Sequence, residues 1–265
     1  MSLHINGLTV KTYGDESKKA IVFIHGFPFD RCMWRQQVNY LKDDYYCITY
    51  DVRGLGDSFV GDGQYTMEFF VSDLYTIMCQ LHLYKPILCG LSMGGYIALR
   101  SFEKRPEYFG GLILCNTKSE ADDNATKLKR SSSINQINTK GLPNFCDQFV
   151  TNCFADETPQ ENEQLFQTTL LKTYRQNPIG VKGALIAIMS RTDTTEVLPQ
   201  INIPTLVIAG AFDKIVPPPV MRAMADKIPG AEFAVVPRAG HLTAIENPDN
   251  VNDLIDSFMK KNFIH

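Results

Sequence analysis

Apolar residues fall along this chain in two rhythms. Short continuous runs come first: Ala20-Ile21-Val22-Phe23-Ile24, Tyr46-Cys47-Ile48-Thr49-Tyr50, Ile87-Leu88-Cys89, Gly111-Leu112-Ile113-Leu114-Cys115, Thr205-Leu206-Val207-Ile208-Ala209-Gly210 and Ala231-Glu232-Phe233-Ala234-Val235-Val236. Each has the length of a strand covered on both faces. Leu8 to Tyr13 alternates instead and predicts a strand ending at Gly14. Between the strands, apolar residues recur at helical spacing. Trp34, Val38 and Leu41 mark a helix over 33–41. Phe69, Phe70, Leu74, Ile77, Met78 and Leu81 mark another, from an N-cap at Thr66 to about His82. Further helices are expected over 93–104, 219–227 and 247–260. Strands and helices in alternation predict an α/β fold with a parallel sheet covered on both faces.

From about Thr117 to Glu196 no strand-like run occurs. Helix signals begin there at Asn124, at Pro143, at Thr158-Pro159 (reaching about Gln176) and at Asn177-Pro178. A proline near the first helical position loses nothing by lacking an N–H. The expected organisation is a core of residues 1–117 and 196–265, interrupted by a helical cap over 118–195.

Composition narrows the partners. The 265 residues are 44% hydrophobic and 21% charged, with net charge -3, which suits one large core rather than several domains. No basic cluster marks a nucleic-acid face; Lys127-Leu128-Lys129-Arg130 reads as a solvated helix face. Met1 to Lys19 holds no continuous apolar run, so no signal peptide is expected, and no stretch approaches bilayer length. The seven cysteines include no C-x-x-C pair, and Cys47, Cys89 and Cys115 sit in apolar runs. That excludes a disulfide framework and a zinc site, and it fits a reduced, cytoplasmic setting without a membrane partner.

Candidate chemistry begins at Gly90-Leu91-Ser92-Met93-Gly94, a Gly-x-Ser-x-Gly pattern between a strand and a helix. The glycines Gly90 and Gly94 make room where strand and helix meet, so that Ser92 projects from a strained turn. Asp213 and His241 likewise follow strands. In a parallel sheet, residues just beyond the carboxyl ends of the strands converge on one edge. A serine hydroxyl needs an imidazole to take its proton, and the imidazole needs a carboxylate to fix its tautomer. His4, His82 and His265 have no supporting context, and His25, beside Gly26, reads as ordering its loop. Asp51 and Asp193 compete with Asp213 for the acid role but fit the order or the location less well. Gly54-x-Gly56 has no third glycine at the spacing of a dinucleotide site.

These pieces together resemble the alpha/beta-hydrolase family over nearly the whole chain. The resemblance is carried by His25-Gly26-Phe27-Pro28, Asp51-x-Arg53-Gly54-x-Gly56-x-Ser58, the Ser92 elbow, Gly210-x-x-Asp213 with Pro217, and Gly240-His241 with Glu246 and Pro248. It implies an eight-stranded sheet whose second strand is antiparallel. It also implies a catalytic triad of Ser92, Asp213 and His241, and an oxyanion hole formed by the backbone N–H groups of Phe27 and Met93. Gly26 would let its loop approach closely, while Asp51 and Arg53 would tie loops together. No metal or organic cofactor is implied. Serine at the elbow, where epoxide hydrolases and haloalkane dehalogenases carry aspartate, argues against those activities. H-G-F-P with G-L-S-M-G-G and a helical cap resembles carboxylesterases and the 3-oxoadipate enol-lactonase group. The expected substrate is then a small ester or lactone. A carbon–carbon bond hydrolase of a vinylogous diketone is the rival within the fold, and cofactor-free haloperoxidases share the triad. A non-catalytic small-molecule receptor is the rival from another class.

Overall fold

A computed structural model describes residues 1–263; His265 lies outside the described residues. The strands are β1 Ser2–Ile5, β2 Leu8–Tyr13, β3 Ala20–Ile24, β4 Tyr46–Tyr50, β5 Ile87–Leu91, β6 Gly111–Cys115, β7 Thr205–Gly210 and β8 Glu232–Val236. They form one sheet in the order β1-β2-β4-β3-β5-β6-β7-β8. β2 is antiparallel to both its neighbours, and every pair from β4 to β8 is parallel.

The central strands β3 to β7 are buried at every residue, as continuous apolar runs require. Two edges depart from the expectation. β1 carries too little apolar character to be read from its pattern, because it pairs on one side only and is mostly exposed. β8 is only half-buried although its sequence is apolar, because it closes the other edge.

The helices are α1 Arg35–Leu41, α2 Met67–Gln80, α3 Met93–Lys104, α4 Asn124–Lys140, α5 Leu142–Cys153, α6 Thr158–Glu161, α7 Glu163–Tyr174, α8 Pro178–Met189, α9 Pro218–Ala225, α10 Thr243–Glu246 and α11 Pro248–Phe263. The start expected at Met33 belongs to a 3-10 turn, Arg31–Trp34, capped by the Asp30 side chain. The segment expected as one helix from Thr158 breaks at Asn162. That residue leaves helical backbone, with φ −142° and ψ 66°, and its side chain accepts from the Leu165 N–H, which starts α7 afresh.

Helices α4 to α8 lie between β6 and β7 and rest on the loops at the carboxyl edge of the sheet. Phe145 and Phe149 of α5 pack on Phe27, with ring centroids 6.1 and 5.3 Å away. The Gly56 N–H donates to Gln176 Oε1 in the turn after α7. Lys127, Leu128 and Lys129 are exposed on α4, but Arg130 leaves the solvated face to pair with buried Asp122, which also meets Arg191 at 2.9 Å. Among the described residues, no helix is long and apolar enough to cross a membrane, and no acid, His or Cys group is arranged to hold a metal. All seven cysteines are free thiols; only Cys32 and Cys79 are exposed.

Candidate active site

Ser92 sits between the last residue of β5 and the first of α3, with φ 54° and ψ −110°. An L side chain rarely adopts that backbone, so the surroundings must hold it. The Ser92 N–H donates to the Cys115 carbonyl at 2.9 Å. Its carbonyl accepts from the Gly95 and Tyr96 N–H groups and from the Thr117 hydroxyl. The expected reason for the glycines holds: a Cβ on Gly90 would lie 2.3 Å from the Gly94 oxygen, and one on Gly94 would lie 2.1 Å from the Ile24 oxygen. Neither clash involves a side chain that could swing away.

Asp213 follows β7 and is buried. Its Oδ1 accepts from the Ile215 and Val216 N–H groups at 2.8 and 2.9 Å. Its Oδ2 accepts from His241 Nδ1 at 2.8 Å and from Asn116 Nδ2 at 2.9 Å. Burial pushes this carboxyl up, but the His241 charge, the His241 and Asn116 hydrogen bonds and the backbone donors outweigh it. The carboxyl titrates below its ordinary value.

His241 is 2% exposed, and its N–H donates to the Cys153 carbonyl at 2.7 Å, across to the end of α5. Glu246 grips the same loop. Its Oε1 accepts from the Gly240 and Leu242 N–H groups, and its Oε2 from the Ala155 N–H and the Thr158 hydroxyl. Burial raises the Glu246 carboxyl above its ordinary value against the pull of those donors.

Among the described residues, Ser92 Oγ and His241 Nε2 make no hydrogen bond to protein. Neither belongs to the buried atoms left without a partner, so both open onto accessible space. The Phe27 and Met93 N–H groups likewise donate to no protein acceptor among the described residues. For Met93 this follows from its place at the first turn of α3, where N–H groups lack an intrahelical partner. Gly26 is close to the elbow as well: a Cβ there would lie 2.9 Å from Leu91 Cδ2 and 3.6 Å from Ser92 Cβ. A cavity of about 100 Å³ runs between α7 and the 3-10 turn at Arg31, with Phe29, Met33, Leu165, Thr169, Lys172 and Ala244 in its walls. Two of these continue the loops that carry Phe27 and His241.

The competing residues are spent elsewhere. His25 is wholly buried; its Nε2 accepts from the Val52 N–H, so its hydrogen sits on Nδ1, which donates to the Gly26 carbonyl. Asp51 ties loops, pairing with Arg31 and accepting from the Arg31 and Asp57 N–H groups. Arg53 pairs with Asp73 on α2. Asp193 accepts from the Thr195 and Ala121 N–H groups at a turn. Asn116 and Thr243 escaped the sequence reading, although Asn116 directly follows an apolar run, as Ser92 and Asp213 nearly do.

Comparison with known proteins identifies the family and the fold. A family model described as the alpha/beta hydrolase fold matches residues 19–248. The 3-oxoadipate enol-lactonase 1 of Acinetobacter baylyi is 30% identical over 253 residues, covering 96% of this chain and 93% of that one. A thermophilic esterase from Thermogutta terrifontis, solved with malate bound, has a TM-score of 0.93 at 32% identity over 98% of both chains. The enol-lactonase from Burkholderia xenovorans LB400 shares the fold, with a TM-score of 0.90 at 24% identity over 98% of this chain and 100% of that one. The matched span runs from β3 past His241 and takes in the elbow and the inserted helices; the chain belongs to the alpha/beta-hydrolase family.

Proposed function

We propose that the protein is a serine hydrolase of small carboxylic esters or lactones, with Ser92 as nucleophile, His241 as base and Asp213 as the carboxylate that orients it. The observation that carries this reading is the His241 Nδ1 to Asp213 Oδ2 bond of 2.8 Å, made on the sheet edge where Ser92 stands in its strained turn. With Nδ1 committed, Nε2 is the nitrogen left to take the Ser92 proton. Ser92 Oγ then attacks the substrate carbonyl, and the new oxyanion receives the Phe27 and Met93 N–H groups. One such donor is typically worth about 2.7–4 kcal/mol of barrier. The intermediate collapses as His241 Nε2 returns the proton to the leaving alcohol oxygen. Water, deprotonated by the same nitrogen, releases the acid from Ser92.

The insert over 118–195 acts as a cap, with Phe145 and Phe149 over the Phe27 loop. Relatives named as an enol-lactonase and an esterase support an ester or lactone as substrate. The test is turnover of short-chain p-nitrophenyl esters and simple lactones, with fluorophosphonate labelling of Ser92. Wild type should turn over and label, and Ser92→Ala should do neither while keeping its melting temperature. A purified protein that neither hydrolyses nor labels would instead be a receptor on this fold. Turnover confined to dienoic diketones would assign it to carbon–carbon hydrolysis.

A further inference from the structure

Asn116 lies directly beyond β6, the strand between those that carry Ser92 and Asp213. It is wholly buried and has φ 47°. Its two chain neighbours hold the elbow: the Cys115 carbonyl accepts from the Ser92 N–H, and the Thr117 hydroxyl donates to the Ser92 carbonyl. Its own side chain reaches the other way. Nδ2 donates to Asp213 Oδ2 at 2.9 Å and to the Gly240 carbonyl at 3.2 Å, and Oδ1 accepts from the Thr243 hydroxyl at 2.6 Å.

This pattern admits a carboxamide in one orientation. Two acceptors face one end of the side chain, and a hydroxyl donor faces the other. Only an NH2 group supplies both hydrogens, and turning the amide over would set its oxygen against two buried acceptors. A carboxylate or an aliphatic side chain of the same size satisfies neither acceptor.

We infer that Asn116 is a positioning residue for the proposed hydrolysis. It locks the rotation of the Asp213 carboxylate and the peptide preceding His241 into one unit, so that Oδ2 stays aimed at His241 Nδ1. The same oxygen takes both donors, so an Asp213 side chain that turned would lose both bonds together. Thr243, itself wholly buried, sets the amide in turn. The inference rests on the hydrolase reading, and Asn116 acts through Asp213 and His241 rather than on substrate.

Substituting Asn116 by Asp would put a second carboxylate beside Asp213 Oδ2. Two carboxylates that close cannot both ionise freely. The added negative charge favours the imidazolium form of the base, so the acid limb of kcat/KM should move to higher pH. The other titratable groups nearby are Cys153 on α5, a thiol kept neutral by burial and by the charges of Asp213 and Glu246, and Glu246 on α10, while Lys214 is turned to Asp156 at the surface.

The test uses the full chain and an ester that wild type hydrolyses. Asn116→Ala should lower kcat about ten- to a hundredfold, as loss of a hydrogen bond to a charged group predicts, with KM nearly unchanged. Thr243→Val should give a smaller loss of the same kind. Asn116→Asp should shift the acid limb upward by about one unit. Folded variants with wild-type kcat and an unmoved limb would overturn the inference. If the Asn116 variants do not fold, Thr243→Val decides alone: a fall in kcat at constant KM supports positioning, and no change overturns it. If wild type itself fails to hydrolyse or label, the hydrolase reading falls. Positioning is then judged by the downfield proton NMR signal of His241 Nδ1, which Thr243→Val and Asn116→Ala should shift and which would stay unchanged if Asn116 were only packing.

Discussion

Two histidines stand beyond strands of the same sheet, each near an aspartate, and they do opposite things. His25 follows β3, with Asp51 close by; His241 follows β8, with Asp213. All four side chains are buried. At the first site both ring nitrogens are consumed by backbone groups, and burial holds the imidazole below its ordinary value against the field of Asp51. Asp51 spends its oxygens on Arg31 and on the Arg31 and Asp57 N–H groups, so it joins loops. At the second site Nδ1 meets the carboxylate, and Nε2 has no protein partner among the described residues. Position beyond a strand and burial therefore do not make a base. In the proposed mechanism it is an unspent ring nitrogen, opposite one held by a carboxylate, that makes His241 the base.

Substitutions sharpen the contrast in order of size. His241→Ala should cost on the order of 10⁶ in kcat, as loss of a triad base does, with little change in melting temperature. His25→Ala should do the reverse, lowering stability and leaving turnover per folded molecule far closer to wild type; an equal loss of kcat from both would break the comparison. Asp213→Asn should cost about 10⁴ in kcat by favouring the wrong histidine tautomer. Asp51→Asn should instead cost about 3 kcal/mol of stability, because it leaves Arg31 without its buried partner; chemical denaturation reads this directly. The smallest effect is on acid stability. The Asp213 carboxyl titrates lower in the folded protein than in the unfolded chain, so its contribution is full above about pH 4 and disappears as pH falls through the lower folded value. Asp213→Asn should therefore lose less melting temperature than wild type on acidification below that point.

The same contrast explains what could be read in advance. The central strands were legible because burial on both faces demands continuous apolar runs. The elbow was legible because two backbone collisions exclude every residue but glycine at 90 and 94. Ser92, Asp213 and His241 stood out as strand-end residues sharing an edge, and their reading as a triad in that order came from the resemblance to the family. β1 was hidden because an edge strand has little apolar surface to declare. The break at Asn162 was hidden because a capping residue inside a polar helical stretch resembles the stretch itself. Asn116 was hidden for a different reason. Its partners Asp213, Gly240 and Thr243 are far away in sequence, and a single asparagine after a strand has the same signature as an ordinary turn.

Glu246 gives the molecule a mechanical interlock. Its carboxylate clamps Ala155 and Thr158, beside the end of α5, to Gly240 and Leu242 on either side of His241. The Cys153 carbonyl adds a strut to the His241 backbone. Lifting this part of the insert away from the sheet would break those bonds and free the backbone that holds the histidine. If His241 is the base proposed above, a molecule opened at this clamp is a disarmed one.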